Sequence, residues 1–124
     1  MTAFSCVFDS TQSDCDAALA AITGFLNTQN AFHPDIELGL AEAINNVVDH
    51  AYLSPGHVEL DVCALQGVVH CVLSDRGRAY DPVTALPDVN RGHGWRMLKS
   101  LTQTCDLTRT HDRNQLILEF TLPT

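Results

Sequence analysis

The stretch Leu40-Ala41-Glu42-Ala43-Ile44-Asn45-Asn46-Val47-Val48-Asp49-His50-Ala51-Tyr52 reads as a helix with two opposed faces. At about 100° per residue, Ile36, Leu40, Ile44, Val47 and Ala51 fall on one apolar stripe. Glu42, Asn46 and Asp49 fall on the other side, at spacings that make neighbours on a helix surface. A carboxylate one turn from a carboxamide can present a base and a metal-coordinating oxygen side by side. Taken alone, such a stripe serves equally as the solvated face of an amphipathic helix. Its meaning therefore depends on the sequence around it.

Downstream, Ser54-Pro55-Gly56 stops the helix, and two alternating runs follow at 57–65 and 68–73. A hairpin turn at Gln66-Gly67 pairs Ala64 with Val69, Val62 with Cys71 and Leu60 with Leu73. Those apolar residues share one face, so the register is self-consistent. One more step along that face puts Asp75 on the core side of the strand end. An inward carboxylate is expensive unless something donates a hydrogen bond to it.

After Asp75 come Arg76-Gly77-Arg78-Ala79-Tyr80-Asp81-Pro82 and then residues 83–91, where Pro87 and the lack of periodicity predict a flexible loop. Gly92-His93-Gly94 opens onto a helix through Met97, Leu98 and Leu101. Two last strands are expected at 104–110 and 115–122, around a turn at His111–Asn114.

Upstream, residues 3–8 alternate as a short edge strand. Asp9-Ser10 or Ser13 offers an N-cap for a helix reaching about Asn27. Pro34 suits the first turn of the next helix, and Asp35 and Glu37 suit its positive end.

A chain of 124 residues with 45% apolar content is expected to form one globular domain, residues 1–124. No apolar run approaches the ~18–20 residues of a membrane span, and no leader pattern opens the chain, so the expected setting is cytoplasmic, away from the membrane. Five cysteines without a Cys-x-x-Cys pair fit reduced thiols, and six scattered histidines give a zinc site little support. The net charge is −8, which argues against direct nucleic-acid binding. It leaves a single nucleotide open, because that needs only a few backbone N–H groups, Mg²⁺ and a cation or so. All seven Lys and Arg residues lie after residue 75.

Glycines flanking a loop at a helix N-terminus can cradle phosphate, since backbone N–H groups approach the anion and the positive end of the helix faces it. Gly92-x-Gly94 alone, or Asp75-x-Gly77 alone, is weak. Their order is what carries weight: a helix with Glu-x-x-x-Asn, a hairpin ending in an inward Asp before glycine, a loop, and Gly-x-Gly opening a helix.

In that order the chain resembles the histidine-kinase-like ATPase superfamily, and within it the bacterial anti-sigma factor serine kinases. Glu42-Ala43-Ile44-Asn45-Asn46 with His50-Ala51-Tyr52 is similar to the N box. Leu73-Ser74-Asp75-Arg76-Gly77-Arg78-Ala79-Tyr80-Asp81-Pro82 resembles the first glycine box, and Gly92-His93-Gly94-Trp95-Arg96-Met97-Leu98 the second. The resemblance implies the Bergerat ATP-binding fold, an α/β two-layer sandwich with a mixed, mostly antiparallel sheet and three helices on one face. It implies ATP and Mg²⁺ as ligands, with Asn46 coordinating the metal and Glu42 as general base. Asp75 would accept from the adenine amino group and Gly77 would leave room for the base, with Ala79 beside it. Gly92, His93 and Gly94 would lie at the phosphates, and residues 83–91 would form the lid. His93, like His50, serves equally as a capping or surface residue. Trp95 reads as helix packing.

The chain departs from the family pattern at three places. Ala79 replaces a second glycine, the last hairpin lacks the Gly-Thr pair many relatives use to support the Asp–adenine contact, and the lid has no lysine. The implied function is a serine/threonine protein kinase that phosphorylates an anti-anti-sigma-type antagonist and regulates a sigma factor by partner switching. The alternative is a non-catalytic, nucleotide-responsive module that inhibits a partner. A homodimer is compatible with the family. At 124 residues the chain is too short to hold a phosphoacceptor-histidine dimerisation helix pair as well, so a complete sensor histidine kinase is not expected.

Overall fold

A computed structural model describes residues 3–52, 55–81 and 94–123. The elements run β1 (Ala3–Asp9), α1 (Gln12–Thr28), α2 (Pro34–Asn46), a π-helical turn (Val47–Ala51), β2 (His57–Leu65), β3 (Val68–Asp75), α3 (Gly94–Leu101), β4 (Thr104–Thr110) and β5 (Arg113–Thr121). The strands form one sheet in the order β1-β2-β3-β5-β4. All four pairings are antiparallel, the pure case of the mostly antiparallel sheet expected. Three helices cover one face, and the architecture is the expected α/β sandwich.

The central hairpin has the register the alternation dictates: Ala64 opposite Val69, Val62 opposite Cys71, Leu60 opposite Leu73. Its turn has positive φ at both Gln66 (52°) and Gly67 (78°), the left-handed pair that matches strand twist. Along β5, Leu116, Leu118 and Phe120 continue the same buried face, and β1 adds Phe8. The covering layer supplies Ile22 and Leu26 from α1, Ile36, Leu40 and Ile44 from α2, and Leu98 from α3. On the other face of the sheet His70 and Glu119 lie opposite one another on β3 and β5, with Nδ1 and Oε2 2.7 Å apart.

Two helix starts show how caps are chosen. Thr11 caps α1, its hydroxyl accepting from the Asp14 N–H at 3.3 Å, in place of the expected Asp9-Ser10 or Ser13. Ser10 is engaged elsewhere: its N–H donates to the Gly56 carbonyl at 2.9 Å, and its Oγ accepts the Gly56 N–H at 3.0 Å. Thr11 is thus the last extended residue before the helix. At α2 the imidazole of His33 caps through Nδ1, accepting from the Asp35 N–H at 3.1 Å, with Pro34 in the first turn.

The helix expected to stop by Ser54-Pro55-Gly56 has ended by Tyr52, and it changes pitch before it ends. Ordinary helix ends at Asn46, one widened turn carries the chain to Ala51, and Tyr52 is extended. The apolar stripe survives the change, with Ile36, Leu40, Ile44, Val47 and Ala51 all buried. Asp49 lies exposed on the widened turn, whereas Glu42 and Asn46 are half-buried.

Candidate functional site

The end of β3 and the end of the π-helical turn meet at one place, and their backbone needs explain why. A helix leaves its last carbonyls without intrahelical donors. Here the segment after Asp75 supplies them: the Arg78 N–H donates to the Ala51 carbonyl at 2.8 Å, and Arg78 Nε to the His50 carbonyl at 2.7 Å. A Cβ on Gly77 would fall inside contact distance of the Ala51 carbonyl oxygen, so this approach requires glycine. Tyr52 fastens the same junction from the other side. Its hydroxyl donates to the His57 carbonyl at 2.6 Å and accepts the Arg76 N–H at 2.9 Å.

Asp75 is buried at 3% exposure, on the core side as the alternation requires. Its Oδ1 accepts two hydrogen bonds at 2.8 Å, from the Gly77 N–H and from Asn114 Nδ2. Among the described residues Oδ2 accepts none. Burial raises the Asp75 carboxyl above the usual carboxylate range, and the Asn114 and Gly77 donors and the Arg109 guanidinium pull the other way.

Asn114 was expected in the turn of the last hairpin and lies instead in β5. That turn is only two residues, His111-Asp112, with Thr110 opposite Arg113 and Arg109 opposite Asn114. Asn114 therefore points at the core, 2% exposed and directly across from Asp75 on β3. Its amide also donates to the Arg78 carbonyl at 2.9 Å and accepts from Arg109 Nη1 at 3.2 Å. Arg109 Nη1 in turn donates to the Gly77 carbonyl at 2.6 Å. The sequence reading missed both residues.

On the helical side, Asn46 Nδ2 is buried with no hydrogen-bond partner among the described residues. A buried amide with an unsatisfied end is unusual in a finished core and is suited to a polar ligand. Glu42, one turn earlier, reaches the start of α3: a Cβ on Gly94 would collide with Glu42 Oε2. The structure thus brings Glu42 against Gly94, and Asp75 against Gly77 and Asn114. Ala79 is exposed beside Tyr80. Gly92, His93 and the lid expected at 83–91 lie outside the described residues.

The Tyr80 ring stacks on His50, centroids 6.1 Å apart, and burial together with the nearby Asp75 pushes its phenol well above the usual tyrosine range. Tyr80 also lines a cavity of about 390 Å³ with Trp95, Lys99, Cys105, Arg109 and Asn114. Neither Glu42, Asn46 nor Asp75 lines that hollow, so it adjoins the cluster without containing it. Trp95 packs partly against the core, as expected, and also contributes to this wall.

The profile of the family described as "Histidine kinase-like ATPase domain" matches residues 8–120. No curated protein sequence matches the chain significantly. Among solved structures, the chain is similar to the RsbU and RsbW domains of Rv1364c from Mycobacterium tuberculosis. The TM-score is 0.74 at 20% identity, over 98% of this chain and 33% of that one. It is also similar to the histidine kinase domain of the Erythrobacter litoralis EL346 blue-light activated histidine kinase, with TM-score 0.57 at 17% identity over 87% of this chain and 61% of that one. Acinetobacter baumannii histidine kinase AdeS gives 0.57 at 12% identity, over 100% of this chain and 70% of that one. The chain spans about a third of the length of the Rv1364c structure it matches. No helix of the described residues is long and apolar enough to cross a membrane.

Proposed function

From a chain that belongs to the histidine kinase-like ATPase family, we propose an ATP-binding protein serine/threonine kinase of the anti-sigma-factor type. The observation that carries the nucleotide reading is Asp75, a buried carboxylate with Oδ1 held by two donors and Oδ2 left to accept. The adenine amino group supplies the missing donor. Residues 83–91 would form the lid.

The orphaned Nδ2 of Asn46 is a donor and suits a phosphate oxygen, and the carboxamide oxygen of the same side chain would be the hard ligand of the kind Mg²⁺ takes beside substrate phosphates. Mg²⁺ held there would neutralise charge on the phosphates. Gly92, His93 and Gly94 would cradle those phosphates at the positive end of α3. Glu42 would remove the proton from an acceptor hydroxyl. The hydroxyl oxygen then bonds to the γ-phosphorus as the bond to the β–γ bridging oxygen breaks, releasing ADP. Most of the rate would come from positioning, as phosphoryl transfer requires.

The acceptor we propose is a serine or threonine of an anti-anti-sigma-type antagonist, with a sigma factor as the competing partner. Support comes from the likeness of the glycine boxes to the anti-sigma branch and from the RsbU and RsbW domains of the Rv1364c neighbour. Incubation with γ-labelled ATP and such an antagonist tests this. Label on the antagonist that disappears in Glu42→Ala, with ATP binding retained, supports the kinase. Binding of ATP without transfer by the wild type overturns it in favour of the nucleotide-responsive inhibitory module.

A further inference from the structure

We propose that Asn114, oriented by Arg109, is the positioning residue for base recognition: it holds Asp75 so that Oδ2 alone is offered, and the site thereby selects purines with an amino group at C6. This rests on the ATP reading given above and goes beyond it, because it assigns specificity to two residues outside the three motif segments.

The orientation of the Asn114 amide is fixed by its neighbours. Nδ2 faces two acceptors, Asp75 Oδ1 at 2.8 Å and the Arg78 carbonyl at 2.9 Å, while Oδ1 faces the Arg109 donor at 3.2 Å. Turning the amide over would set its oxygen against a carboxylate and a carbonyl, and its NH₂ against a guanidinium, losing all three bonds. Both amide hydrogens are therefore committed, and Asp75 cannot rotate without breaking one of them. Arg109 Nη1 closes the circuit by holding the Gly77 carbonyl, so the backbone that supplies the second donor to Asp75 is tied to the same cation.

An ionised carboxylate with one oxygen occupied is an acceptor only. It accepts from an exocyclic amino group and repels the carbonyl oxygen of a 6-oxopurine. A 6-oxopurine leaves it buried and unpaired, and that is the strong form of discrimination. Without Asn114 the carboxylate loses a donor. It becomes easier to protonate, and once protonated it can donate to a carbonyl, so discrimination falls as well as affinity.

The groups facing Asp75 can be separated by pH. Arg109 from β4 faces Asp75 and favours its charged form. Tyr52, from beyond the π-helical turn, and Tyr80, from the following segment, are both raised above the usual tyrosine range by burial and stay neutral. Asn114 does not titrate, and His50 stacks on Tyr80. Binding should therefore fall as pH drops through the raised Asp75 value, since the acceptor form is lost.

Calorimetric titration with ATP and with ITP, each with Mg²⁺, from pH 5 to 8 tests the inference on wild type, Asn114→Ala, Asn114→Thr and His50→Gln. Asn114→Ala should weaken ATP about tenfold or more at pH 7, narrow the ATP-to-ITP ratio, and move the acid limb to higher pH. Asn114→Thr keeps one hydroxyl that can donate to Asp75 and should restore the limb toward wild type. Wild type that discriminates, with an Asn114→Ala protein that keeps both ratio and limb and is merely less stable, overturns this inference alone. A limb that moves in His50→Gln instead also overturns it. Wild type that binds neither nucleotide overturns the ATP reading together with it. Should Asn114→Ala not fold, Arg109→Gln carries the same expectation in weaker form, and an unchanged ratio there overturns the proposal.

Discussion

A methyl group added at Gly77 would strike the Ala51 carbonyl oxygen, and one added at Gly94 would strike Glu42 Oε2. The two obstacles differ in kind. The first is backbone fixed by its bond to the Arg78 N–H, and the second is the tip of a flexible side chain. Gly77→Ala should therefore cost about 1–3 kcal/mol in urea unfolding, the range for overpacking a well-ordered site. Gly94→Ala should stay within about 1 kcal/mol of wild type and yet displace the Glu42 carboxylate. Under the proposed function it loses phosphoryl transfer about 10²-fold or more. Asp75 supports a prediction of opposite sign for stability and binding. Its folded-state carboxyl titrates above the ordinary carboxylate range because it is buried. Its contribution to stability is therefore fully present below the ordinary value and is lost as pH rises through the raised one. Asp75→Asn should thus be at least as stable as wild type at neutral pH, with the advantage shrinking on acidification. Denaturant midpoints from pH 3 to 8 check this. Legibility at this scale was uneven for a traceable reason. Extending the Leu60–Leu73 face one step along β3 places Asp75 inward. The same step backwards from Leu116 along β5 would have placed Asn114 inward as well, but assigning His111–Asn114 to the turn hid that step.

At the scale of elements, α2 brings Glu42 and Asn46 to the site and packs tightly on the sheet at Gly39. A Cβ on Gly39 would lie 2.8 Å from the buried Phe120 ring. Replacing glycine by alanine in a helix interior gains about 1 kcal/mol of intrinsic propensity. Pushing a fully packed aromatic aside costs about 1–3 kcal/mol. The clash should win, so Gly39→Ala should lower the thermal midpoint. The π-helical turn marks where helical periodicity stopped being a reliable guide. The Glu42-to-Asn46 spacing lies wholly in regular helix, whereas Asp49 falls beyond the change of pitch and leaves the stripe. Nothing in the residue types of 47–51 announces a wider turn. Its cause lies in the carbonyls that the segment after Asp75 must reach and in Tyr52, which ties the turn to both β2 and β3. Tyr52→Phe removes two hydrogen bonds at a half-buried position and should cost about 1 kcal/mol, read by chemical denaturation.

Across the whole molecule, the sheet order sets two adjacent pairings side by side, β3 with β5 and β5 with β4. One line of side chains, Asp75, Asn114 and Arg109, crosses three strands as a result. Alternation within each hairpin was readable from the chain. The adjacency of β3 and β5 was not, because the chain between them runs through residues 76–112, which include α3 and β4. That adjacency is what lets an asparagine from the last hairpin support a carboxylate far away in sequence. Whether this cluster is a nucleotide site is decided by isothermal titration with ATP and Mg²⁺. Wild type should bind one equivalent, and Asp75→Asn, still folded, should bind about 10–100-fold more weakly. No binding by folded wild type, or equal affinity in Asp75→Asn, would contradict it.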